Sequence, residues 1–381
     1  MIRSSLATLI LLAVFFAASP SRAGDRPGVP GGIMDKPYLG RAGANVMIGG
    51  YMDHEFEWNQ DTGSTFDQHR FVPFITAPVS DRVVVSTEIE FEHGGNPDVD
   101  GEIKLEYAVM DFRLSGALNY RGGVILSPLG LFNLRHDSPL NDLTERPTVN
   151  RQIMPSTLSE AGMGFFGTLY PSIDAVLTYE VYLVNGFDEG VLAGDDGARR
   201  LRIREGRGSQ KADNNRNKAI TGRIGYSPML GLDFGASTHT GHYDDDGEKR
   251  LTVAAFDASA RFGNLEILGE LGFVSADVDQ AAEPGLAESQ RGQYLQFGYH
   301  VLHDRLLKGS VVTLVVRHDM IDYDTDLDGD LDEGITFGVN FRPTEDTVFK
   351  LDWNRTWLTA RDQTERNDGH DRVFFSFATY F

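Results

Sequence analysis

Apolar and polar side chains alternate with a period of two, run after run, from Ala44 to the last residue. In Val85–Glu92 one face carries Val85, Thr87, Ile89 and Phe91, the other Ser86, Glu88, Glu90 and Glu92. The next run sets Ile103, Leu105, Tyr107 and Val109 against Glu102, Lys104, Glu106 and Ala108. Further on, Leu177, Tyr179, Val181 and Leu183 alternate with Val176, Thr178, Glu180 and Tyr182, and Ile335, Phe337, Val339 and Phe341 with Thr336, Gly338, Asn340 and Arg342. Successive side chains of a strand point to opposite faces, so the pattern predicts β-strands. Runs of this length suit strands of about 9–11 residues that cross hydrocarbon at a tilt and project beyond it.

Sixteen strands are predicted: 44–57, 66–77, 82–92, 102–114, 118–128, 159–170, 174–186, 218–227, 232–243, 250–262, 265–277, 293–303, 309–322, 334–343, 347–359 and 371–381. Turn-forming pairs and quartets such as Ser80-Asp81, Ser115-Gly116, Pro171-Ser172 and Gly263-Asn264 join alternate strands. Every other connection is longer and polar, above all 129–158 and 187–217. Short turns on one rim and long loops on the other predict an all-β fold, a transmembrane antiparallel β-barrel.

The ends of the chain fit an exported protein. Arg3, the apolar run Leu6–Ala18 and the small-x-small site Ser21-Arg22-Ala23 make 1–23 an expected cleavable secretory signal. Residues 24–43, rich in Gly and Pro, read as a periplasmic tail, which leaves 44–381 as the barrel. In the last strand Val373, Phe375, Phe377, Thr379 and Phe381 share one face. That arrangement looks like the C-terminal signal read by the barrel insertion machinery. The expected location is the outer membrane of a bacterium.

Composition narrows the rest. A net charge of −21 argues against nucleic acid as a partner. There is no cysteine, so no disulfide stabilises the exported chain. No HExxH or GxSxG pattern is present, and the ten histidines are scattered, so an enzyme is not expected. Trp58, Trp353, Trp357, Tyr299 and Tyr380 read as aromatics at the membrane interface.

The segment from about 66 to 170 resembles the phosphate-selective porin O and P family. The resemblance is carried by Arg70-Phe71, Glu88 to Gly94, Arg121-Gly122-Gly123, Ser127-Pro128-Leu129-Gly130 and His136-Asp137-Ser138-Pro139. Glu145-Arg146-Pro147, Ile153 to Thr157 and Glu160 to Gly164 continue it. It implies a sixteen-stranded, usually trimeric channel whose third external loop folds inward as a constriction. Here that loop is 129–158, with Arg135, Arg146 and Arg151 as constriction candidates, or else as partners of Asp137, Asp142 and Glu145.

The family's phosphate-selective members line the pore with basic residues, whereas the presumed lumen face here is acidic. It carries Asp53, Glu55, Glu57, Glu88, Glu90, Glu92, Glu102, Glu106, Glu180, Glu266 and Glu270. Against them stand Lys104, Arg121, Arg223, Arg317, Arg342 and Lys350. Rings of charge set the sign of the permeant ion, so a cation-leaning channel for small hydrophilic solutes is expected. The alternatives are an anion channel that uses the loop arginines and a closed structural or adhesive barrel.

Two loop clusters remain. Asp324, Asp326, Asp328 and Asp330, with Gly329 and Asp332, resemble the first half of a calcium loop, but Ile335 stands where a closing carboxylate belongs. No other cofactor is expected. Arg199, Arg200, Arg202, Arg204, Arg207, Lys211, Arg216 and Lys218 form a basic island in 187–217. It suits lipopolysaccharide phosphates, anions at the mouth, or, as the favoured reading, pairing with acidic loops.

Overall fold

The protein was analysed as a computed structural model that describes residues 46–193 and 199–381. The expected signal 1–23 and tail 24–43 lie outside the described residues. All sixteen predicted strands form, and they close into one antiparallel barrel. The first half contains β1 (Met47–Asn59), β2 (Gly63–Pro78), β3 (Val83–Glu92), β4 (Glu102–Arg113), β5 (Asn119–Leu126), β6 (Ser159–Leu169), β7 (Val176–Val184) and β8 (Ala219–Met229). The second half contains β9 (Leu232–His242), β10 (Arg250–Phe262), β11 (Leu265–Ala276), β12 (Ser289–Val301), β13 (Val311–Asp322), β14 (Leu331–Thr344), β15 (Thr347–Thr359) and β16 (His370–Tyr380). Strand β1 pairs with β16 from Tyr51↔Tyr380 to Asn59↔Arg372, so no edge remains unpaired.

The outward face is apolar and exposed, as at Phe165, Phe234, Phe256, Leu295, Phe337 and Phe375. Inward positions of the wall carry buried polar groups such as Arg317, Asp319, Asn340 and Asp352. A wall that is apolar outside and polar inside is what a barrel in hydrocarbon requires. Phe381 belongs to the outward set: its ring stacks on Phe71 at 5.6 Å, and its N–H donates to the Gly50 carbonyl at 2.9 Å.

Three details depart from the expected pattern. The rims are less regular: the external connection 60–62 is a tight turn, because Asn59 Oδ1 accepts from the N–H groups of Asp61 and Thr62. On the opposite rim 302–310 is a longer loop, folded by Asp304 on Gly309 and Ser310. Secondly, the β3–β4 register shifts between Glu88↔Tyr107 and Ile89↔Leu105, which leaves Glu106 as the extra residue of a bulge. Beyond it the faces exchange. Val109 is buried with Ile125, Tyr182 and Val184, and Met110 takes the exposed side. Thirdly, Tyr380 is not an interface aromatic, because its parity is that of the buried Phe374, Ser376 and Ala378. Its hydroxyl donates inward to Asp137 at 2.8 Å.

The barrel is not hollow. The loop 127–158, called L3, and the described part of 185–218, called L4, enter the lumen. Leu129, Val149, Ile153 and Met154 of L3 form one apolar core with Leu201 and Ile203 of L4. The wall contributes Leu251, Val253, Val274 and Tyr294 to the same core. The short helix α1 (Thr148–Gln152) lies in this core against β12 and β13. Glycine makes that approach feasible: a Cβ on Gly292 would meet Val149 at 2.9 Å and Ile153 at 3.1 Å.

Candidate pore constriction

L3 leaves β5 through Ser127, crosses to the far wall and returns to β6 through Leu158. Asn133 ties its two stems together, donating to the Ser127 carbonyl at 2.7 Å and accepting from the Leu158 N–H at 2.9 Å. Where the loop meets β11, Glu270 accepts from the Phe132 N–H at 2.6 Å and from Asn150 at 3.2 Å. On β13, Asp319 accepts from the Thr148 N–H at 3.0 Å, and on β15 Asp352 accepts from the Thr144 N–H at 2.6 Å. Strand β1 contributes Asp53, which accepts a hydrogen bond from Ser138. Lumen carboxylates thus hold the loop by its own backbone and hydroxyl donors.

Basic wall residues take the loop's carbonyls. Arg317 donates to Glu145 O at 2.8 Å, Arg342 to Pro139 O at 2.7 Å and Lys350 to Ser138 O at 2.9 Å. Such charge-assisted bonds are stronger than neutral ones. Several other lumen charges pair within the wall. Arg70 lies 2.7 Å from Glu90 and 3.2 Å from Glu92, Lys104 lies 2.8 Å from Glu92, and Arg121 grips Asp111 at 2.7 and 2.9 Å. Glu180 is 3.7 Å from Arg121, and Arg223 meets Asp257 at 2.7 Å. The expected acidic surplus is therefore largely spent on structure.

The three loop arginines take three different places. Arg151 pairs with Glu145 at 2.7 Å, as the pairing alternative expected. Arg146 instead donates to the Ser156 carbonyl at 3.0 Å, and its Nε and Nη2 are buried without partners. Arg135 is exposed on a cavity of about 650 Å³ beneath L3, which reaches Gly231 and Arg261 near the short-turn rim. Above Arg146, Arg204 and Arg207 of L4 donate to the carbonyls of Ser156 and Thr157, both at 3.0 Å. Arg204 is held below the usual arginine range, first by burial and then by Arg207. The basic island therefore stitches L4 onto L3. Elsewhere its Arg200 reaches Asp330 and its Lys218 reaches Asp213.

The acidic loop 323–330 is arranged differently from a calcium loop. Arg361 lies 2.7 Å from Asp324, and Asp330 pairs with Arg200 and Arg361. Guanidinium groups thus occupy the first and last of the four candidate ligands, while Asp326 and Asp328 stay exposed. Sequence reasoning missed several residues that matter at L3: Asp319, Asp352, Arg372, His69 and the imidazole of His136. Asp319 and Asp352 carried a usable signal, since each stands two positions from a predicted lumen cation on the same strand face.

The lumen is sealed apolarly on the β10–β13 side, whereas charged, half-buried groups face one another on the β16–β1–β2–β3 side. There Glu145 lies 3.4 Å from Arg372, and Glu55 lies 3.2 Å from His69. Burial pushes the Glu145 carboxyl up, but Arg151, Arg372 and Arg317 together hold it below its ordinary value of 4.5. A carboxylate depressed in this way stabilises the docked loop above its ordinary pKa, and that contribution is lost as pH falls through the depressed value. Wild-type channels should therefore loosen only in acid, below the ordinary carboxylate range. Glu145→Gln should show the looser behaviour already at pH 7 in bilayer recordings. A variant indistinguishable from wild type at every pH would contradict this assignment.

No family profile matches the chain, so the resemblance to the phosphate-selective porins rests on the quoted motifs. An uncharacterized protein of Aquifex aeolicus (strain VF5) is 27% identical over 363 residues, covering 84% of this chain and 80% of that one. Among solved structures, the anion-selective porin from Comamonas acidovorans superposes with a TM-score of 0.60 at 11% identity, over 89% of this chain and 100% of that one. The fold is that of a porin. The outer membrane channel DcaP of Acinetobacter baumannii gives 0.57 at 12% identity, over 90% and 98% of the two chains. OmpT of Vibrio cholerae, solved in a trimer form, gives 0.56 at 10% identity, over 89% and 99%. At these identities the likeness concerns architecture alone.

Proposed function

We propose that this chain is an outer-membrane channel through which small hydrophilic solutes and ions diffuse, with L3 as its constriction. The observation that carries the reading is the lateral asymmetry of L3. Its apolar side is buried against β10–β13. Its charged side, with Glu145, Arg146 and Arg151, faces Glu55, His69, Glu92 and Arg372 and is only half buried. Purified protein in a planar bilayer should give stable conductance steps; a protein that folds and inserts but never conducts would make it a closed barrel.

Selectivity follows from which charges stay free near the gap. Glu57 on β1 has no ion pair among the described residues, and it supports a weak cation preference, measurable as a reversal potential across a salt gradient. One observation favours the opposite sign. Arg146 keeps two buried donors without partners, with Arg204 and Arg207 nearby, and an anion-selective reversal potential that collapses in Arg146→Gln would establish that reading and restore the phosphate-porin resemblance. A trimeric assembly, by analogy with the Vibrio cholerae structure, is tested by light scattering of the detergent-solubilised protein.

A further inference from the structure

The bulge in β4 lies beside a buried acidic pair. Glu106, its extra residue, stands in the lumen next to Glu88 of β3, and the two carboxylates are 1% and 5% exposed. L3 then places His136, 2% exposed, against them. The His136 Nδ1 donates to the Asn133 carbonyl at 2.8 Å, since a carbonyl can only accept. That bond directs Nε2 at Glu106, 3.2 Å from each carboxylate oxygen. One oxygen of Glu88, Oε1, is buried with no hydrogen-bond partner. One donor atom from each of the three residues lies within 4.8 Å of the others.

We infer that Glu88, Glu106 and His136 form a binding site for a divalent transition-metal cation of the zinc class. Tetrahedral zinc with N and O ligands at about 2.0–2.1 Å needs donors roughly 3.3 Å apart, close to the His136–Glu106 spacing. Two carboxylates and one imidazole suit zinc, manganese or iron better than calcium, which takes more oxygens. The outer shell is in place. A ligating histidine commonly donates its other N–H to a carbonyl, as His136 does to Asn133, and Thr157 Oγ1 orients Glu106 through a 3.0 Å bond. A bound dication would also resolve the placement of two buried acids side by side, with Asp137 and Glu90 adding negative charge nearby and Arg146 positive. Of the three ligands, Glu106 borders, with Thr157, a polar cavity of about 490 Å³ beneath L4.

The metal would fasten both stems of L3 to β3 and β4, through His136 directly and through Thr157 by way of Glu106. This inference does not depend on the channel being open. The test uses full-length protein in detergent, stripped with chelator and titrated with zinc chloride by calorimetry. One saturable site per chain is expected, and Glu88→Gln, Glu106→Gln and His136→Gln should each weaken it by about 100-fold or more. Asp326→Asn and Asp328→Asn should leave it unchanged. Cobalt(II) should give a visible ligand-field band that His136→Gln abolishes. Heat-modifiable migration on gels establishes that each variant is folded. No saturable binding at millimolar zinc by folded protein overturns the inference, and so does binding that survives both His136→Gln and Glu88→Gln.

Discussion

Replacing residues 131–155 with a short glycine–serine bridge is expected to raise single-channel conductance several-fold while changing its ion selectivity little. The first effect follows from volume, because L3 and the L4 segment packed on it occupy the lumen along β10 to β13. The second follows from charge balance. Without the loop Glu270, Asp319 and Asp352 lose their loop donors, and Arg317, Arg342 and Lys350 lose their loop acceptors, three acids against three bases. The barrel itself should survive, since none of its sixteen ladders passes through the loop. Deletion does strip apolar cover from Leu201 and Ile203, so L4 should also become mobile and protease-sensitive. The milder Ile153→Ala truncation should cost about 2–5 kcal/mol of loop docking and give intermediate, noisier conductance. A deletion variant with wild-type conductance would show that solutes do not pass L3 at all.

The barrel was legible because a strand writes its environment into every second residue. Phe337 and Val339 outward, Asn340 and Arg342 inward, follow directly from alternation, and the closure of β1 on β16 follows from an even count of such strands. A bulge leaves no such trace. Nothing in the alternation of 102–109 marks Glu106 as supernumerary, so Tyr107 and Val109 were expected on the lipid face and stand in the lumen. The same blindness applies to partners distant in sequence. The acids of the lumen were visible as charges, but their use was not, because Glu270 meets Phe132 and Asp352 meets Thr144 only after the loop has crossed the barrel. The basic island concealed two core residues, Leu201 and Ile203, inside a run whose charge dominates its composition. Nothing near Asp324 and Asp330 in the chain marks Arg361 and Arg200 as their ion-pair partners.

Arg317→Ala should release L3 without removing any of it. The guanidinium is 3% exposed and holds three groups: Asp319 at 2.7 Å, the Glu145 carbonyl at 2.8 Å and the Arg146 carbonyl at 3.5 Å. Truncation leaves Asp319 buried with the Thr148 N–H as its remaining loop donor and leaves two loop carbonyls unpaired. Breaking one side of a buried pair costs about 3–5 kcal/mol. At roughly 1.4 kcal/mol per decade, that lowers the docked-to-undocked ratio by two orders of magnitude or more. The expected recordings show frequent transitions to a higher-conductance substate, and trypsin should cut after Arg151, which is protected in the docked loop. Arg317→Lys keeps the charge but not the planar fork that bridges Asp319 and two carbonyls, so it should recover only part of the docking. Asp319→Asn separates the two roles: its amide oxygen still accepts from Thr148, and the loop should flicker less than in Arg317→Ala. If Arg317→Ala instead gives quiet, wild-type steps and a trypsin-resistant loop, the apolar core around Val149 and Ile153 alone suffices to keep L3 in place.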